Sequence, residues 1–529
     1  MKKIIKDWLK TAIAGLLVLI LGLILRLYRL TYLPIFADEA IYIRWSQVMR
    51  AEPTLRFLPL SDGKQPLFMW ATIPFLKLFS DPLFAGRFLS VLVGLVTTIG
   101  IFFLTYLFFK SKKTALIASL IYVFSPFCLF FDRMALTDSM LSMFGVWSLF
   151  FGVLTSKTFR LDFAMITGFV LGGALLTKSP ALFFSLMLPG SWIFIEWQKG
   201  VKNIFVKLIK LFGLFSVSYI IAYGMYNILR LGPNFQMIGT RNQDYIFPLS
   251  HLWTNPKDPF IFLIDRSFEW IRMMGPWPLI VIWLLSYLVS WKKYFKEALI
   301  LTIWFLFPIL VQSEFAKVFT ARYILFSIPY LIILGSSVFL TGSNLVKKVS
   351  ITILLLFFFL AMKFNYSLLT NIEEANLPRS ERSGYLEEWT AGYGIKEAAD
   401  FVRSEYQKEP NKKIVVGTEG FFGTLPDGLQ IFLNDLPEVT IIGIGIDINQ
   451  IPQSLVESKK AGNKTYLVIN SSRFEIKKPG EFGLELIAAY PKAFRPEGFR
   501  EYIRFGPRDN LYLFELKNIK TPFSKQKTS

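Results

Sequence analysis

An acidic pair, Asp38 and Glu39, stands in Phe36-Ala37-Asp38-Glu39-Ala40-Ile41-Tyr42, just past an apolar run over residues 11–30. About 20 apolar residues suffice to cross a ~30 Å hydrocarbon core. These carboxylates therefore stand at a membrane edge, where a charge is costly unless it faces water, a partner or a substrate. Neighbouring helical residues point about 100° apart, so at most one of the two is a base aimed at a reacting group. The plainer role for Asp38 is to cap a helix starting at Ala40. Further ionisable groups stand at comparable places. Lys64 lies in Asp62-Gly63-Lys64-Gln65-Pro66, and Asp132, Arg133 and Asp138 separate two apolar runs. Lys178 lies in Thr177-Lys178-Ser179-Pro180, and Arg322 with Tyr323 opens another run. A carboxylate with several cations suits a reaction in which a hydroxyl loses a proton and a phosphate leaves. The carboxylate takes the proton, and Lys or Arg stabilises the charge growing on phosphate oxygens.

Each of these groups also has a structural role available. Asp138, after Thr137 and before Ser139, reads as a helix N-cap. Lys178 could anchor a helix end by snorkelling, and Arg322 beside Tyr323 could anchor at the interface. Asp132 and Arg133 could pair with each other, which for a partly exposed pair contributes about 0–1 kcal/mol.

The elements that must position these groups are membrane helices. Of 529 residues, 53% are hydrophobic, 17% aromatic and only 18% charged. A soluble chain averages about 25% charged, so the composition specifies a polytopic membrane protein. The formal charge of +20 would also suit a nucleic-acid binder. Here, however, the basic residues cluster between apolar runs, as membrane topology requires, and no nucleic acid is expected. The single cysteine, Cys128, lies inside an apolar run and forms no internal disulfide. The first apolar stretch is too long for a signal-peptide core and reads as an uncleaved span.

Run length gives about eleven spans, over residues 10–30, 84–109, 114–131, 139–155, 161–177, 181–197, 211–229, 276–291, 297–312, 322–341 and 349–366. Residues 69–79 are apolar but short and contain Pro74, which suggests a re-entrant or interfacial piece. Basic clusters at Lys2, Lys3, Lys6 and Lys10, at Lys110, Lys112 and Lys113, at Lys157 and Arg160, at Lys199, Lys202, Lys207 and Lys210, at Lys292, Lys293 and Lys296, and at Lys347 and Lys348 all fall on one side of this count. The positive-inside rule makes that side cytoplasmic. The N-terminus is then cytoplasmic and the C-terminal region extracytoplasmic. Asp38, Glu39, Lys64, Asp138, Lys178 and Arg322 land on the outer side, although none was used to set the orientation. The outer segment 231–275 alternates turn residues with Trp253, Phe260 and Trp270 and reads as an ordered interfacial element.

Beyond residue 370 charged residues become frequent and apolar runs shorten. Residues 395–406 have helical spacing. Residues 413–417, 439–444, 464–469 and 510–516 read as strands bounded by turn residues. The expected domains are a membrane domain over 1–369 and an extracytoplasmic α/β domain over 370–529, of about 150 residues. The basic tail 517–529 is expected to be loose.

Taken in order, the motifs around Asp38-Glu39, Lys64-Gln65-Pro66-Leu67, Arg133-Met134-Ala135-Leu136-Thr137-Asp138, Thr177-Lys178-Ser179-Pro180 and Ala321-Arg322-Tyr323 resemble the GT-C-fold glycosyltransferases. The resemblance is to the protein O-mannosyltransferase type, glycosyltransferase family 39-like, a broad group that includes the aminoarabinose transferases of lipid A. It spans about residues 38–329. It implies Asp38 as base with Glu39 as motif partner, Asp138 as a second acidic site residue, and Lys64, Lys178 and Arg322, with Tyr323, on the donor phosphate. Two positions depart from the pattern: Gln65 stands where a second proline or a similar residue is usual, and Ser179 where glycine is common.

The expected activity is inverting transfer of a sugar from a polyprenyl-phosphate donor to a hydroxyl on a glycan, lipid or protein acceptor, at the outer face of the bilayer. The alternatives are a transporter or flippase for a lipid-linked sugar, and an oligosaccharide ligase or polymerase. Transporters place coupling groups near mid-membrane, whereas these carboxylates lie at span ends. No cofactor is required by this chemistry. With one histidine, His251, no His-based metal site is expected, while a carboxylate-bound Mg²⁺ or Mn²⁺ stays open.

Overall fold

The computed structural model describes residues 2–196 and 201–517. Lys199 and all but the first residue of the basic tail lie outside the described residues. The chain divides into two compact units. The first comprises residues 1–30, 49–75 and 86–378, and the second residues 31–48, 76–85 and 379–529.

The first unit is a multi-pass helical membrane assembly. All eleven apolar runs are helical, but fewer than eleven have the length of a span. Seven do: Trp8–Leu27, Pro82–Phe109, Thr137–Thr158, Ile204–Leu231, Phe295–Phe315, Ala321–Leu340 and Asn344–Thr370. Phe260–Met274 and Pro278–Lys293 pass only as a pair bent by 102°, which gives up to eight among the described residues. Proline explains most of the shortfall, because it removes a backbone donor and clashes with the preceding turn. The run 114–131 breaks at Ser125-Pro126 into Lys112–Phe124 and Pro126–Phe131. The run 181–197 passes from Ala181–Met187 into the 3-10 segment Leu188–Phe194 around Pro189. The helix Leu161–Thr177 has only 17 residues. The stretch around Pro74 is likewise two short helices, Leu67–Thr72 and Phe75–Leu78.

Asp132 and Arg133 do not pair with each other. Asp132 is fully buried and accepts Arg26 Nε at 3.1 Å and Nη2 at 2.8 Å, with the Tyr122 hydroxyl at 3.1 Å. Arg133 donates to the carbonyls of Leu25, Arg26, Tyr28 and Arg29 at 2.8–3.1 Å. Those carbonyls close the first helix, where the last turn lacks intrahelical partners and the dipole is negative. Consecutive residues thus make two separate ties to the first span.

The second unit is built on a five-stranded mixed sheet. Its strands are β1 (Ile414–Glu419), β2 (Val439–Gly445), β3 (Lys464–Asn470), β4 (Leu484–Pro491) and β5 (Asn510–Leu516). The order is β2-β1-β3-β5-β4. β1 runs parallel to β2 and β3, and β5 antiparallel to β3 and β4. Four strands and the helix Ile395–Lys408 stand where the sequence places them. β4 was not expected: Leu-Glu-Leu-Ile-Ala-Ala-Tyr-Pro is poor in β-branched residues, and much of it faces solvent. Val415, Leu467, Ile469, Phe514 and Leu516 form the core. The segment 31–48 is bound into this unit. Phe36 bridges Ala391, Ala37 N donates to Thr390 O at 3.1 Å, and Gly392 N donates to Ile35 O at 2.8 Å. Farther along, Gln47 Nε2 donates to Ile431 O at 2.9 Å.

Candidate functional site

The cations gather in the first unit. Lys178 leaves the helix Leu161–Thr177 in an extended conformation. Its Nζ lies 2.6 Å from Asp138 Oδ1 and 4.3 Å from the centre of the Tyr323 ring. The Arg322 guanidinium lies 5.4 Å from the same ring. Arg322 is buried in the 3-10 segment Ala321–Ser327, not spread on a lipid-facing surface. Nor does Asp138 cap its helix. Leu136 is the N-cap residue, and no side chain bonds there. The Asp138 carboxylate, in the first turn of Thr137–Thr158, turns to Lys178 and stays in the favourable field of the helix N-terminus. Lys178 is correspondingly held in place, not snorkelling.

Lys64 sits beside this cluster. Its Nζ is 3.3 Å from Asp62 Oδ2, and the other oxygen of Asp62 takes Arg241 Nη2 at 2.7 Å. Arg241 Nη1 also reaches Asp244 at 2.8 Å. Gly63 makes the turn before Lys64 with φ +67°, and a Cβ there would come within 2.6 Å of Met237 O and 2.8 Å of Arg241 Cβ. Only glycine combines that conformation with that approach. Tyr245, at the end of Met237–Tyr245, lies among the charges of Lys64, Arg241 and Asp62 and near Tyr323. Burial raises the pKa of its phenol, while Lys64 draws it back down.

The two departures from the family pattern meet: Gln65 Nε2 donates to Ser179 Oγ at 2.9 Å. This bond ties the loop carrying Lys64 to the one carrying Lys178, one residue from each cation. Lys64, Lys178 and Arg241 pair with Asp62, Asp138 and the largely exposed Asp244, and Arg322 lies against the same Tyr323 ring as Lys178. Arg241 escaped the sequence reading because segment 231–275 showed only its turns and aromatics. The polar string Arg241-Asn242-Gln243-Asp244, between the apolar Met237-Ile238 and Tyr245-Ile246-Phe247, was the available signal.

Asp38 and Glu39 belong to the second unit. Their helix runs Ala37–Ala51, starting before the expected Ala40. Glu39 is fully buried, and its Oε2 accepts Phe36 N at 3.0 Å, the reciprocal half of a capping box. Glu39 therefore does the capping that Asp38 was expected to do, and the half-buried Asp38 is not the cap. Among the described residues no three His, Cys, Asp or Glu side chains converge as a metal site.

The family model for dolichyl-phosphate-mannose-protein mannosyltransferases matches residues 63–223, which carry Lys64, Asp138 and Lys178. No curated relative matches the chain by sequence. In structure, the chain is similar to apo ArnT from Cupriavidus metallidurans, with TM-score 0.60 and 14% identity, covering 97% of this chain and 98% of that one. The fold is that of a GT-C glycosyltransferase. The form of ArnT bound to undecaprenyl phosphate gives TM-score 0.56 and 15% identity over the same shares of the two chains. The match covers the helical membrane unit and extends through the sheet-bearing second unit.

Proposed function

We propose that this chain transfers a sugar from a polyprenyl-phosphate donor to an acceptor hydroxyl, with inversion, at the extracytoplasmic face of the membrane. The observation that carries this reading is the convergence of Lys178, Arg322, Lys64 and Arg241 around Tyr323 and Tyr245. The undecaprenyl phosphate named in the ArnT complex is a lipid phosphate of the kind such a cluster would hold.

The acceptor hydroxyl gives its proton to Asp38 as its oxygen attacks the anomeric carbon. The bond from that carbon to the phosphate oxygen breaks, and its electron pair passes to the phosphate, where the cations meet the new charge. One displacement inverts the configuration. Asp138 acts through Lys178: it fixes the ammonium in position and is not a second base. Glu39 supports the helix that carries Asp38. The Lys and Arg groups supply the positive charge without a resident metal; a Mg²⁺ or Mn²⁺ arriving on the donor phosphate would add to it. The acceptor is a glycan, lipid or protein hydroxyl.

The test is Asp38→Asn in purified enzyme, with release of free polyprenyl phosphate and the transferred sugar both measured. A positioned base contributes about 10²–10⁴-fold, so turnover should fall by that much with the melting temperature preserved. A folded variant with wild-type turnover would remove Asp38 as the base. Wild-type protein that moves the lipid-linked sugar across the bilayer without breaking a bond would remove the reaction altogether.

A further inference from the structure

In the second unit the chain passes from β1 to β2 on one side and then to β3 on the other, both parallel to β1. That reversal makes β1/β3 a topological switch point. In open α/β sheets, ligands bind in the crevice outside the carboxyl ends of the strands at such a point. The last residues of β1 and β3 are Glu419 and Asn470. Both are almost fully buried, and Glu419 accepts Asn470 N and Nδ2, each at 2.7 Å. Asn470 Oδ1 is buried without a hydrogen-bond partner. Arg473 lies 3.4 Å from Glu419 and 4.2 Å from the centre of the Trp389 ring.

Aromatic rings surround this polar floor. Trp389 is 38% exposed, Phe421 65% and Phe422 64%. The two phenylalanines sit between Gly420 and Gly423, both at positive φ, and the Phe421 ring packs over Gly443 of β2. Their exposure does not reflect a loose loop. Gly423 N donates to Asp427 Oδ2 at 2.6 Å, and Gly420 N donates to Gly445 O at 2.6 Å. Trp389 is fixed from its neighbour: the Glu388 carbonyl takes Lys492 Nζ at 2.8 Å and the Glu388 carboxylate takes Arg495 Nε at 2.9 Å. Large rings held exposed on pinned backbone mark an interaction surface.

We infer that the carboxyl edge of this sheet binds sugar rings, and that these belong to the acceptor. Pyranose C–H faces cover aromatic rings, and ring hydroxyls reach the partly exposed Arg473 guanidinium, which Glu419 and Asn470 back from below. The acceptor assignment rests on the proposed base. Ala37, next to Asp38, donates its N–H to Thr390 O, next to Trp389. Candidate base and candidate platform thus flank one backbone hydrogen bond within a single unit. A base must stand where the acceptor hydroxyl stands.

The probe is an array of immobilised oligosaccharides, read with the full-length chain in lipid nanodiscs. Wild-type protein should be retained on a subset of saccharides. Trp389→Ala should lose about tenfold or more of that retention, as buried aromatic anchors do, and Phe421→Ala with Phe422→Ala should weaken it further. Trp389→Phe keeps a ring and should retain most binding, while the exposed Ile503→Ala should change nothing. Melting temperatures exclude misfolding. No retention of wild-type protein, equal retention by Trp389→Ala, or retention on peptide spots instead would overturn the inference. Release of polyprenyl phosphate without acceptor is read separately, so that loss of the transferase reading and loss of the saccharide site are distinguishable.

Discussion

Asp38 and Glu39 are adjacent in sequence, yet the helix that begins at Ala37 divides their work. Glu39, at the third helical position, turns back to Phe36 N, while Asp38 stands one residue nearer the helix start and is not its N-cap. The residue types announced an acidic site, but which carboxylate caps depended on where the helix starts, and that is decided by the backbone bonds of Ala37 and Gly392. The proposed phosphate side shows the same limit. Lys64, Lys178 and Arg322 could be named as candidates because they stand between apolar runs. Arg241 could not, because its tie to Asp62 is made only by the fold. Arg241 also gives the cleaner test. Lys178→Ala would strand the buried Asp138, which costs about 3–5 kcal/mol in folding alone, whereas Asp62 keeps Lys64 when Arg241 is removed. Losing one charge-assisted bond costs about 1.5–3 kcal/mol. Arg241→Ala should therefore raise the donor KM by roughly 10-fold or more, with the acceptor KM unchanged. Steady-state kinetics with each substrate varied in turn decides this, and an unchanged donor KM would make Arg241 a helix-end anchor.

Elements were legible where one pattern decides them. The seven full-length spans among the described residues and the strands β1, β2, β3 and β5 stand as read, whereas Pro126, Pro189 and Pro278 split or shortened runs that hydropathy alone counts as spans. β4 stayed hidden because its place depends on pairing with β5. The loop between β1 and the helix Asp427–Leu433 makes a prediction of its own. Asp427 is largely buried, and burial pushes its carboxyl up to about 6, against the pull of Gly423 N and the Arg44 charge. In the unfolded chain it titrates near the ordinary value of about 3.9. Between these values the folded state holds more protons, so stability falls as pH rises from about 4 to about 6 and stays lower above that. The full effect is on the order of 2–3 kcal/mol. Asp427→Asn keeps an acceptor for Gly423 N and should flatten this stretch of the stability curve. Melting temperature against pH measures it. A variant with the same slope as wild type between pH 4 and 6 would show that Asp427 is not the group responsible.

At the scale of the whole chain, the second unit recruits residues 31–48 and 76–85 in addition to the C-terminal region, so the candidate base belongs to the sheet-bearing unit. Composition could not reveal this, because the bonds that tie segment 31–48 to its unit, at Phe36, Ala37, Gln47 and Gly392, join residues that lie hundreds of positions apart and meet only in the fold. For orientation, by contrast, the charges support a proposal. Lys157, near the end of Thr137–Thr158, lies among Lys110, Lys296, Glu297 and Glu196, so basic clusters from separate loops meet at one end of the first unit. Asp138 marks the opposite end of that same helix. Basic loops stay in the cytoplasm, which would put Asp138 and its partners outside. Lys347 and Lys348 open the helix Asn344–Thr370, so residues after Thr370 should emerge on the outer side as well. A reporter that needs disulfides to fold, fused after residue 517, should be active, since disulfides form only in oxidising compartments. A fluorescent reporter that matures only in the cytoplasm should be dark at that position and bright before the first span. A bright C-terminal fusion would invert the orientation. It would also put the sheet-bearing unit, with Asp38 and the Trp389 platform, on the face opposite to the one proposed for the reaction.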